Sequence, residues 1–428
     1  MPDHAHSDDP AVQAQLNRLT MLSPGRDVLG LERIAVLMER LCNPHQSLPP
    51  VFHVAGTNGK GSTCAFLRAA LEAAGKSVHV YSSPHLVRFN ERIRVAGTLI
   101  DDATLAPLLA EVLDCSEDIH PSFFEATTAA AFLAFARTPA DAAIIEVGLG
   151  GRLDATNIIQ RPLVCGIAQL AIDHQSFLGD TLVEIAGEKA GIAKAGVPLV
   201  TMDYATDIAA EVAKGAAQRN AIWHPKSSDW NVITYNKLVH YKDNLGKLTL
   251  PLPTLAGQHQ ADNAALAIAM LRHQSEIAVP EAAIRAAMGW AHWPARLQRL
   301  APGPLIGNRE VWLDGGHNQA CAEAIAAHFT TDGRRIQLIC GILANKDAHG
   351  LLGALAGIAD RIIATPVPGH PCHPPEELAA IGRSLGVDAS TAETLPEAIA
   401  QTTGDPMLIL GSLYLAGEAL KANGQVPD

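Results

Sequence analysis

The sequence predicts an α/β protein with a larger N-terminal domain, built on a mostly parallel sheet, and a smaller C-terminal Rossmann-like domain. Two observations lead to this fold class. Short apolar segments alternate with helical segments from Pro50 onward, which is typical of a parallel sheet covered by helices. The alternation stops once, around residues 293–304, and then starts again. A chain of 428 residues is long enough for two or three domains, each with its own core.

The composition argues against several classes of partner. The chain has 32 basic and 44 acidic residues, a net charge of −12. We therefore expect neither a nucleic acid nor an anionic membrane as a partner, because no basic field exists to release counterions. The seven cysteines are scattered without metal-ligand spacing, so we expect small core residues of a reduced compartment. No apolar run could span a bilayer, and the polar N-terminus does not resemble a signal peptide. A cytoplasmic location is expected.

The first domain is expected to contain five buried strands separated by helices. The predicted strands are 50–55, 77–81, 142–147, 163–169 and 197–201, and the predicted helices are 62–74, 104–114, 125–136, 181–194 and 206–219. The stretch 223–253 differs, because its apolar residues lie on both sides of the glycine-bearing turn Asp243–Gly246. This pattern predicts a hairpin that adds an antiparallel edge to the parallel core.

The second domain is expected to follow residue 297, which gives domains of 1–297 and 298–428. Pro294, Pro302, Gly303 and Pro304 prevent a continuous helix at the boundary. The predicted strands are 310–313, 335–340, 360–365 and 406–411, and the predicted helices are 318–329, 374–385 and 412–422.

Residues 53–62 indicate nucleotide phosphate binding. Gly56, Gly59 and Gly61 surround Lys60 between a buried strand and a helix. Backbone N–H groups of such a turn and the N-terminus of the next helix hold polyphosphate, and the lysine reaches the outer phosphates. The match to G-x-x-x-x-G-K-[ST] is imperfect, because Val54 occupies the first glycine position and Gly61 the hydroxyl position. The loop predicts a P-loop-type ATPase domain.

Three further polar residues follow predicted strands. Glu146 ends the strand 142–147, and Ser83 and His174 follow two other strands. Open α/β sheets bind ligands at the carboxyl ends of their strands, and oxygen ligands near a phosphate loop suit Mg²⁺. We expect a Mg²⁺ site here. A solvated strand-end glutamate and a structural histidine are the competing interpretations.

Two other motifs carry chemistry-bearing residues. Lys189 lies between Gly187 and Gly191, glycines that would allow another backbone to approach, although a solvated helix lysine has the same pattern. Asp314 and His317 follow the strand 310–313 in a glycine turn. This arrangement predicts a ligand site that faces the domain boundary.

Six motifs together resemble one known family. They are Gly56–Ser62, Ser83–Leu86, Glu146–Asn157, Asp173–His174, Glu188–Gly191 and Asp314–Asn318. Their order and spacing, within residues 26–415, resemble the bacterial folylpolyglutamate synthase/dihydrofolate synthase family of the Mur ligase superfamily. The resemblance implies an ATP-dependent amide ligase. ATP would phosphorylate a carboxylate of dihydropteroate or a reduced folate, and L-glutamate would attack the acyl phosphate.

The resemblance also implies roles for individual residues. The ATP-binding residues would be Gly56, Thr57, Asn58, Gly59, Lys60, Gly61, Ser62, Asn263, Arg296 and Asp314. Ser83, Glu146 and His174 would hold Mg²⁺, Lys189 would be the family's carbamylated lysine, and His317 would lie near the ligation centre. The substrate segment Asp27–Glu32 and its partners would contribute Leu29, Gly30, Leu31, Glu32, Ser122, Phe123, Phe124, Glu125, Leu153, Asp154 and Ala155. Phe123 and Phe124 are equally compatible with plain core packing.

Under the same resemblance, 1–297 would be the ATP-binding Mur ligase-type central domain and 298–428 the glutamate-ligase domain. ATP and Mg²⁺ would be the cofactors, the partners would be small molecules, and the protein would be a monomer. Three residues depart from the family pattern. Ala295 replaces a glycine before Arg296, Gly316 replaces an alanine before His317, and Asn345 stands where aspartate is usual.

Three alternatives remain at this stage. Another Mur-type ligase, acting on cell-wall peptides, would use the same chemistry, but only about fifty residues precede the phosphate loop, too few for a separate UDP-binding domain. A Rossmann dehydrogenase is favoured only by Gly148–Gly151, which lacks the final glycine of the fingerprint. A non-catalytic nucleotide-binding switch is the third.

Overall fold

The computed structural model describes residues 5–22, 29–116, 118–331, 333–404 and 406–428, and Asp27 lies outside them. The chain forms two compact units. The first comprises Met1–Thr254 and Gln260–His292, and the second comprises Leu255–His259 and Trp293–Asp428. In the described part of the chain, no helix is long and apolar enough to cross a membrane.

The first unit alternates strands and helices. Its helices are α1 (Pro10–Leu22), α2 (Glu32–Arg40), α3 (Lys60–Ala73), α4 (Asp102–Asp114), α5 (Phe123–Arg137), α6 (Gln175–Leu178), α7 (Leu182–Ala190), α8 (Thr206–Gln218), α9 (His259–Arg272) and α10 (Glu281–Trp290). Its strands are β1 (Val51–Ala55), β2 (Val78–Tyr81), β3 (Ile93–Val95), β4 (Thr98–Leu99), β5 (Ala142–Glu146), β6 (Val164–Ile167), β7 (Pro198–Thr201), β8 (Ile222–Pro225), β9 (Trp230–Tyr235), β10 (Leu238–Asp243) and β11 (Gly246–Pro251).

An eight-stranded sheet forms the centre of this unit, in the order β4-β3-β2-β5-β1-β6-β7-β8. Neighbouring strands are parallel in the part of the sheet formed by β2, β5, β1, β6, β7 and β8. Strands β3 and β4 add an antiparallel edge beside β2. Every residue of β1, β2, β5 and β6 is buried, because helices cover both faces. The predicted parallel α/β core is confirmed.

The prediction for the stretch 223–253 is partly wrong. The hairpin forms between β10 and β11, but it belongs to a separate three-stranded sheet, β11-β10-β9, and adds no edge to the parallel core. The edge strand of the central sheet in this part of the chain is β8, which pairs in parallel with β7. The physical reason lies in the alternation of β9–β11, which buries Trp230, Tyr241 and Leu250 on one face. Helix α10 packs against β11, so this sheet has its own cover.

The second unit is a smaller α/β fold. Its strands are β12 (Gln298–Arg299), β13 (Val311–Leu313), β14 (Ile336–Cys340), β15 (Ala359–Ala364), β16 (Asp388–Thr391) and β17 (Met407–Leu410). Its helices are α11 (Gln319–Thr331), α12 (Ala348–Leu355), α13 (Pro375–Ser384), α14 (Leu395–Ala400) and α15 (Leu413–Ala422). The six-stranded sheet has the order β12-β13-β17-β14-β15-β16 and is parallel apart from β12.

The cysteine prediction holds only in part. Cys64, Cys165 and Cys340 are buried, as expected of small core residues, but Cys42 is exposed. Cys42 lies in the turn after the short amphipathic helix α2, with a φ of 62°. Apolar neighbours in the sequence therefore predict burial of a cysteine only within strands and buried helices.

Candidate functional site

The phosphate loop connects β1 to α3. Gly59 is the N-cap of α3, and its φ of 85° is a left-handed conformation that favours glycine. Gly56 lies so close to the segment after β6 that an added Cβ would come within 2.8 Å of the Ala168 side chain. The left-handed conformation of Gly59 and the close packing of Gly56 explain why glycine is needed at both positions.

Hydrogen bonds anchor the loop to the segment after β6. The N–H groups of Thr57 and Asn58 donate to the Gln169 carbonyl oxygen at 2.9 and 3.1 Å. The Thr57 hydroxyl donates to the Ala171 carbonyl at 3.1 Å. Two N–H groups of the turn are thus committed to the protein. Donors for a phosphate must come mainly from the first turn of α3, whose N–H groups have no intrahelical acceptor.

Asn263 lies directly against the phosphate loop, although more than 200 residues separate it from Gly59 in the sequence. The Asn263 side chain is 4% exposed, and its Nδ2 donates to Gln260 Oε1 at 3.1 Å. A Cβ on Gly59 would overlap the amide oxygen of Asn263. The structure therefore brings together Asn263 and the loop, which the sequence assigned to one nucleotide site.

Glu146 lies beside the loop at the end of β5, where it pairs in register with Val54 of β1. It is 4% exposed. Its negative charge is felt in α3, because it adds to the effect of burial in raising the pKa of the Cys64 thiol well above its ordinary value. A buried carboxylate at the carboxyl end of a central strand suits a hard cation such as Mg²⁺.

The other two predicted metal ligands lie in loops. Ser83 follows β2, the strand next to β5, and is partly buried. His174 does not directly follow a strand as expected, since β6 ends at Ile167 and the segment after it anchors the phosphate loop. It precedes α6 with a φ of 52°, and its side chain is 41% exposed. The described residues contain no group of three or more His, Cys, Asp or Glu that could hold a metal by themselves. A serine would thus have to complete the predicted set.

Lys189 is 3% exposed in α7 and donates from Nζ to the Gly56 carbonyl oxygen at 3.0 Å. Burial, assisted by the nearby charge of Lys60, lowers its pKa to about 7, even though Asp173, Asp154 and Glu188 act in the opposite direction. The interpretation of Lys189 as a solvated helix lysine is wrong. The amine is buried, close to Lys60 and attached to the phosphate loop.

The glycine turn after β5 packs tightly against α7. A Cβ on Gly151 would come within 2.8 Å of the Glu188 carbonyl, and one on Gly191 would overlap Arg152. The Arg152 side chain forms an ion pair with Glu188 at 2.8 Å. The expectation that glycine beside Lys189 allows another backbone to approach is confirmed at Gly191.

Asp154 organises this same turn. Its carboxylate accepts from the N–H groups of Leu149 and Thr156 at 2.8 and 3.0 Å. It is 2% exposed, and burial raises its pKa in spite of these hydrogen bonds. Leu153 and Ala155 flank it, and Ala155 begins a 3₁₀ turn, Ala155–Ile158. Asp154 thus stabilises its own turn. Its contact with the substrate stays a prediction.

The predicted substrate segments meet around the start of α5. Ser122 and Glu125 form a capping box, in which Ser122 N–H donates to Glu125 Oε2 at 2.6 Å. Phe123 is 5% exposed in the apolar core, whereas Phe124 is partly exposed and lies over Gly148, whose added Cβ would overlap its ring. Leu29, Gly30 and Leu31 are partly buried just before α2, and Glu32 is exposed as its first residue.

Sequence reasoning missed Arg33. Its Nε donates to Glu125 Oε2 at 3.0 Å, so it joins α2 to the start of α5. The signal was weak: one arginine directly after the predicted segment Asp27–Glu32, facing a glutamate 92 residues away. This ion pair connects two segments that the sequence could only assign separately.

In the second unit, Asp314 holds two turns together. Its Oδ2 accepts from Leu297 N–H and its Oδ1 from Gly316 N–H, both at 2.7 Å. Arg296 lies in the turn that Asp314 fixes, and His317 Nδ1 lies 3.0 Å from the Gly315 carbonyl. Arg296, Asp314 and His317 therefore form one local group. Ala295 before them has a φ of 54°, a conformation in which glycine would be less strained.

Fold and site together define a class of protein. A parallel α/β unit with a glycine loop, a loop lysine and a buried strand-end carboxylate, followed by a second α/β unit, is typical of a nucleotide-binding enzyme.

Comparisons with known proteins identify the family. No protein-family model matches the chain. The chain is 36% identical over 401 residues to the folylpolyglutamate synthase of Lacticaseibacillus casei, covering 90% of this chain and 92% of that protein. It superimposes with a TM-score of 0.87 on Escherichia coli FolC in complex with DHPP and ADP, at 33% identity and 97% coverage of both chains. A bifunctional folylpolyglutamate synthase/dihydrofolate synthase solved with Mn, AMPPNP and L-glutamate gives a TM-score of 0.84 at 32% identity, covering 96% of this chain and 97% of that one.

The chain belongs to the folylpolyglutamate synthase/dihydrofolate synthase family. It is therefore an ATP-dependent ligase, and the dehydrogenase and non-catalytic alternatives are excluded. The comparisons confirm the predicted family, fold class and use of ATP with a divalent metal.

Proposed function

We propose that this enzyme joins L-glutamate to the carboxylate of a pterin-bearing acceptor, dihydropteroate or a reduced folate, with ATP as the energy source. The observation that carries the proposal is the phosphate loop with Lys60 at the start of α3, beside the buried Glu146 and Lys189. Solved relatives support the substrate class, because one holds DHPP and ADP and another holds AMPPNP and L-glutamate.

In the first step the acceptor carboxylate attacks the γ-phosphate of ATP, which gives an acyl phosphate and ADP. The first turn of α3 binds the phosphates through its N–H groups, and Lys60 compensates the charge that develops on the transferred group. Asn263 fixes the loop through Gly59 and contacts the nucleotide in this proposal. In the second step the amino group of L-glutamate attacks the acyl carbon, and phosphate leaves.

Ser83, Glu146 and His174 are the residues that would hold Mg²⁺. Glu146 fits this role because it is a buried carboxylate at the end of β5, paired in register with the strand that leads into the phosphate loop. When bound, the cation neutralises charge on the phosphates of ATP.

Lys189 is the proposed site of carbamylation. A lysine with a pKa of about 7 is largely neutral at slightly alkaline pH, so its Nζ can attack carbon dioxide. The amine forms one N–C bond and releases one proton, and a carbamate anion replaces the amine. The new anion would lie close to Lys60 of the phosphate loop and would orient the ammonium group of Lys60.

The other site residues keep their sequence-based roles within this proposal. Arg296 and Asp314 would contact the nucleotide and His317 the ligation centre, and the segments around Leu29, Phe124 and Leu153 would contact the acceptor. The division into an ATP-binding domain and a glutamate-ligase domain stays a prediction, as do the monomeric state and the cytoplasmic location.

Phosphate release from ATP and Mg²⁺ with L-glutamate tests the function, with dihydropteroate in one reaction and tetrahydrofolate in another. Release in both reactions shows a dual enzyme, and release in one shows a single activity. A folded protein that binds ATP but releases no phosphate with either acceptor would contradict the proposal and favour the acceptor of another Mur-type ligase.

A further inference from the structure

A pocket of the first unit lies beside the turn that packs on α7. It has a volume of about 310 Å³, opens widely to solvent and is lined by Arg152, Asn157, Gly191, Ala193, Lys194, Ala195 and Arg219. Small-molecule sites typically begin at about 300 Å³. The pocket is therefore larger than a single bound ion requires.

Three of these seven lining residues are cations, in a chain whose net charge is −12. Arg152 is paired with Glu188, but within the described ranges Lys194 and Arg219 have no carboxylate within ion-pair distance. The two cations line the same pocket, and the charge of Arg219 adds to the effect of burial in lowering the pKa of Lys194. Two like charges facing one cavity without a counter-ion favour an anionic occupant.

Most donors of these three side chains remain uncommitted. Arg152 contacts Glu188 through Nε and Nη2, which leaves Nη1. Arg219 donates from Nη1 to the Gly215 carbonyl at 3.4 Å, which leaves Nε and Nη2. Lys194 donates one of its three hydrogens to the Asn157 carbonyl at 3.0 Å. The pocket is rich in charged donors, the groups that bind phosphate and carboxylate oxygens best.

The competing explanation is helix capping. Lys194 follows the last turn of α7, and Arg219 is the C-cap residue of α8, so both cations lie near helix C-termini. Each C-terminus carries only about half a negative charge. Two helix ends therefore balance about one of the two unpaired cations, and a net positive charge remains in the pocket.

We propose that this pocket is a second anion site, which binds a small molecule with phosphate or carboxylate groups. None of the residues proposed for ATP, metal or acceptor binding lines it, so the inference does not rest on the proposed function. Two sources supply this chemistry in the reaction of the family: inorganic phosphate and a glutamate carboxylate.

Calorimetric titration of the full chain tests the proposal, with ADP present to occupy the phosphate loop. The probes are inorganic phosphate and L-glutamate, in separate experiments. Arg219→Gln and Lys194→Met are each expected to weaken the binding of at least one probe roughly tenfold or more, because each removes a charged donor. The charge-retaining variant Arg219→Lys should keep most of the affinity.

Lys214→Met is the matched control, since it removes an exposed lysine of α8 that pairs with Glu211 outside the pocket. A loss restricted to the phosphate experiment identifies phosphate as the ligand, and a loss restricted to L-glutamate identifies the amino acid. The proposal is overturned if Arg219→Gln and Lys194→Met, each shown to be folded, bind both probes as tightly as the Lys214→Met control does.

Discussion

At the scale of single residues, Lys60 and Lys189 are two lysines with opposite electrostatic requirements. Lys60 begins α3 and must be charged to compensate phosphate. Lys189 is buried, and with a pKa of about 7 a large fraction of its side chain is the neutral amine near neutral pH. The charge on Lys60 adds to the effect of burial in lowering the pKa of Lys189.

Lys60→Ala should lower the turnover number by roughly 10²-fold or more with the fold intact, because charge stabilisation of the transferred phosphoryl group is lost. The measurement is steady-state phosphate release, with circular dichroism as the check on folding. Lys76→Ala, which removes a lysine just beyond the C-terminal end of α3, is the control and should retain normal turnover. Near-normal activity of a folded Lys60→Ala enzyme would contradict the role of the loop.

Lys189→Met should change how stability depends on pH. The unfolded chain binds a proton at Lys189 up to a pKa of about 10.5, whereas the folded protein loses it near 7. Between these values the unfolded state binds more protons, so the free energy of unfolding of the wild type rises with pH. Below pH 7 folding must bury an ammonium group, and this rise is absent.

Urea unfolding in carbon dioxide-free buffer, at about pH 7 and about pH 9, measures the effect. The difference between wild type and Lys189→Met should shift in favour of the wild type at the higher pH. Lys214→Met should show no such shift. If wild type and Lys189→Met have parallel pH profiles, the lysine is not buried as a neutral amine.

At the scale of elements, the phosphate loop is held from three directions. The Gln169 carbonyl accepts hydrogen bonds from the N–H groups of Thr57 and Asn58. Lys189 donates a hydrogen bond to the Gly56 carbonyl, and Asn263 packs against Gly59. The loop is thus fixed by the segment after β6, by α7 and by α9. Preorganisation of this kind lets N–H groups bind phosphate without a further cost in ordering the backbone.

Gly59→Ala should therefore abolish tight ADP binding. An alanine must adopt a left-handed φ of 85°, which costs about 1–2 kcal/mol, and its methyl group must displace the Asn263 amide. Titration of ADP in the presence of Mg²⁺ measures the loss. Gly75→Ala is the control, since it has a similar φ of 76° but meets no atom within 4 Å. It should cost stability without loss of ADP affinity.

At the scale of the whole molecule, the sequence was most informative where strands are apolar and buried. The five predicted strands of the first unit form because each is a short, mostly apolar segment between helices. Apolar patterning did not predict β16, whose sequence Asp-Ala-Ser-Thr is polar and lies at a sheet edge. It also did not predict the short helices α12 and α14. Nor did it predict β3 and β4, which together contain only five residues.

The site followed the same rule. The loop from Gly56 to Ser62 could be predicted because its chemistry lies in consecutive residues. The anchoring role of Gln169, the contact of Asn263 with Gly59 and the ion pair of Arg33 with Glu125 could not. Each of these contacts joins residues that are about ninety to two hundred positions apart in the sequence. Neither the composition nor the local spacing of residues shows which distant residues come into contact.

The division of the chain predicts which parts are needed for nucleotide binding. Helices α9 and α10 belong to the first unit, where α10 packs against α3 and Asn263 contacts the loop. A chain that ends at residue 254 should not bind ADP, because α3 loses its cover and Gly59 its neighbour. One that ends at residue 292 should retain measurable binding. Equal ADP affinities of the two fragments would contradict this dependence.

The late position of α9 and α10 has a consequence for the order of events during synthesis on the ribosome. Translation produces the phosphate loop early, but Asn263 leaves the exit tunnel only after the strands of the central sheet. A nascent chain therefore carries an unfinished nucleotide site for most of its elongation. Nucleotide can assist folding only once α10 has emerged, which happens after more than about two-thirds of the chain has been made.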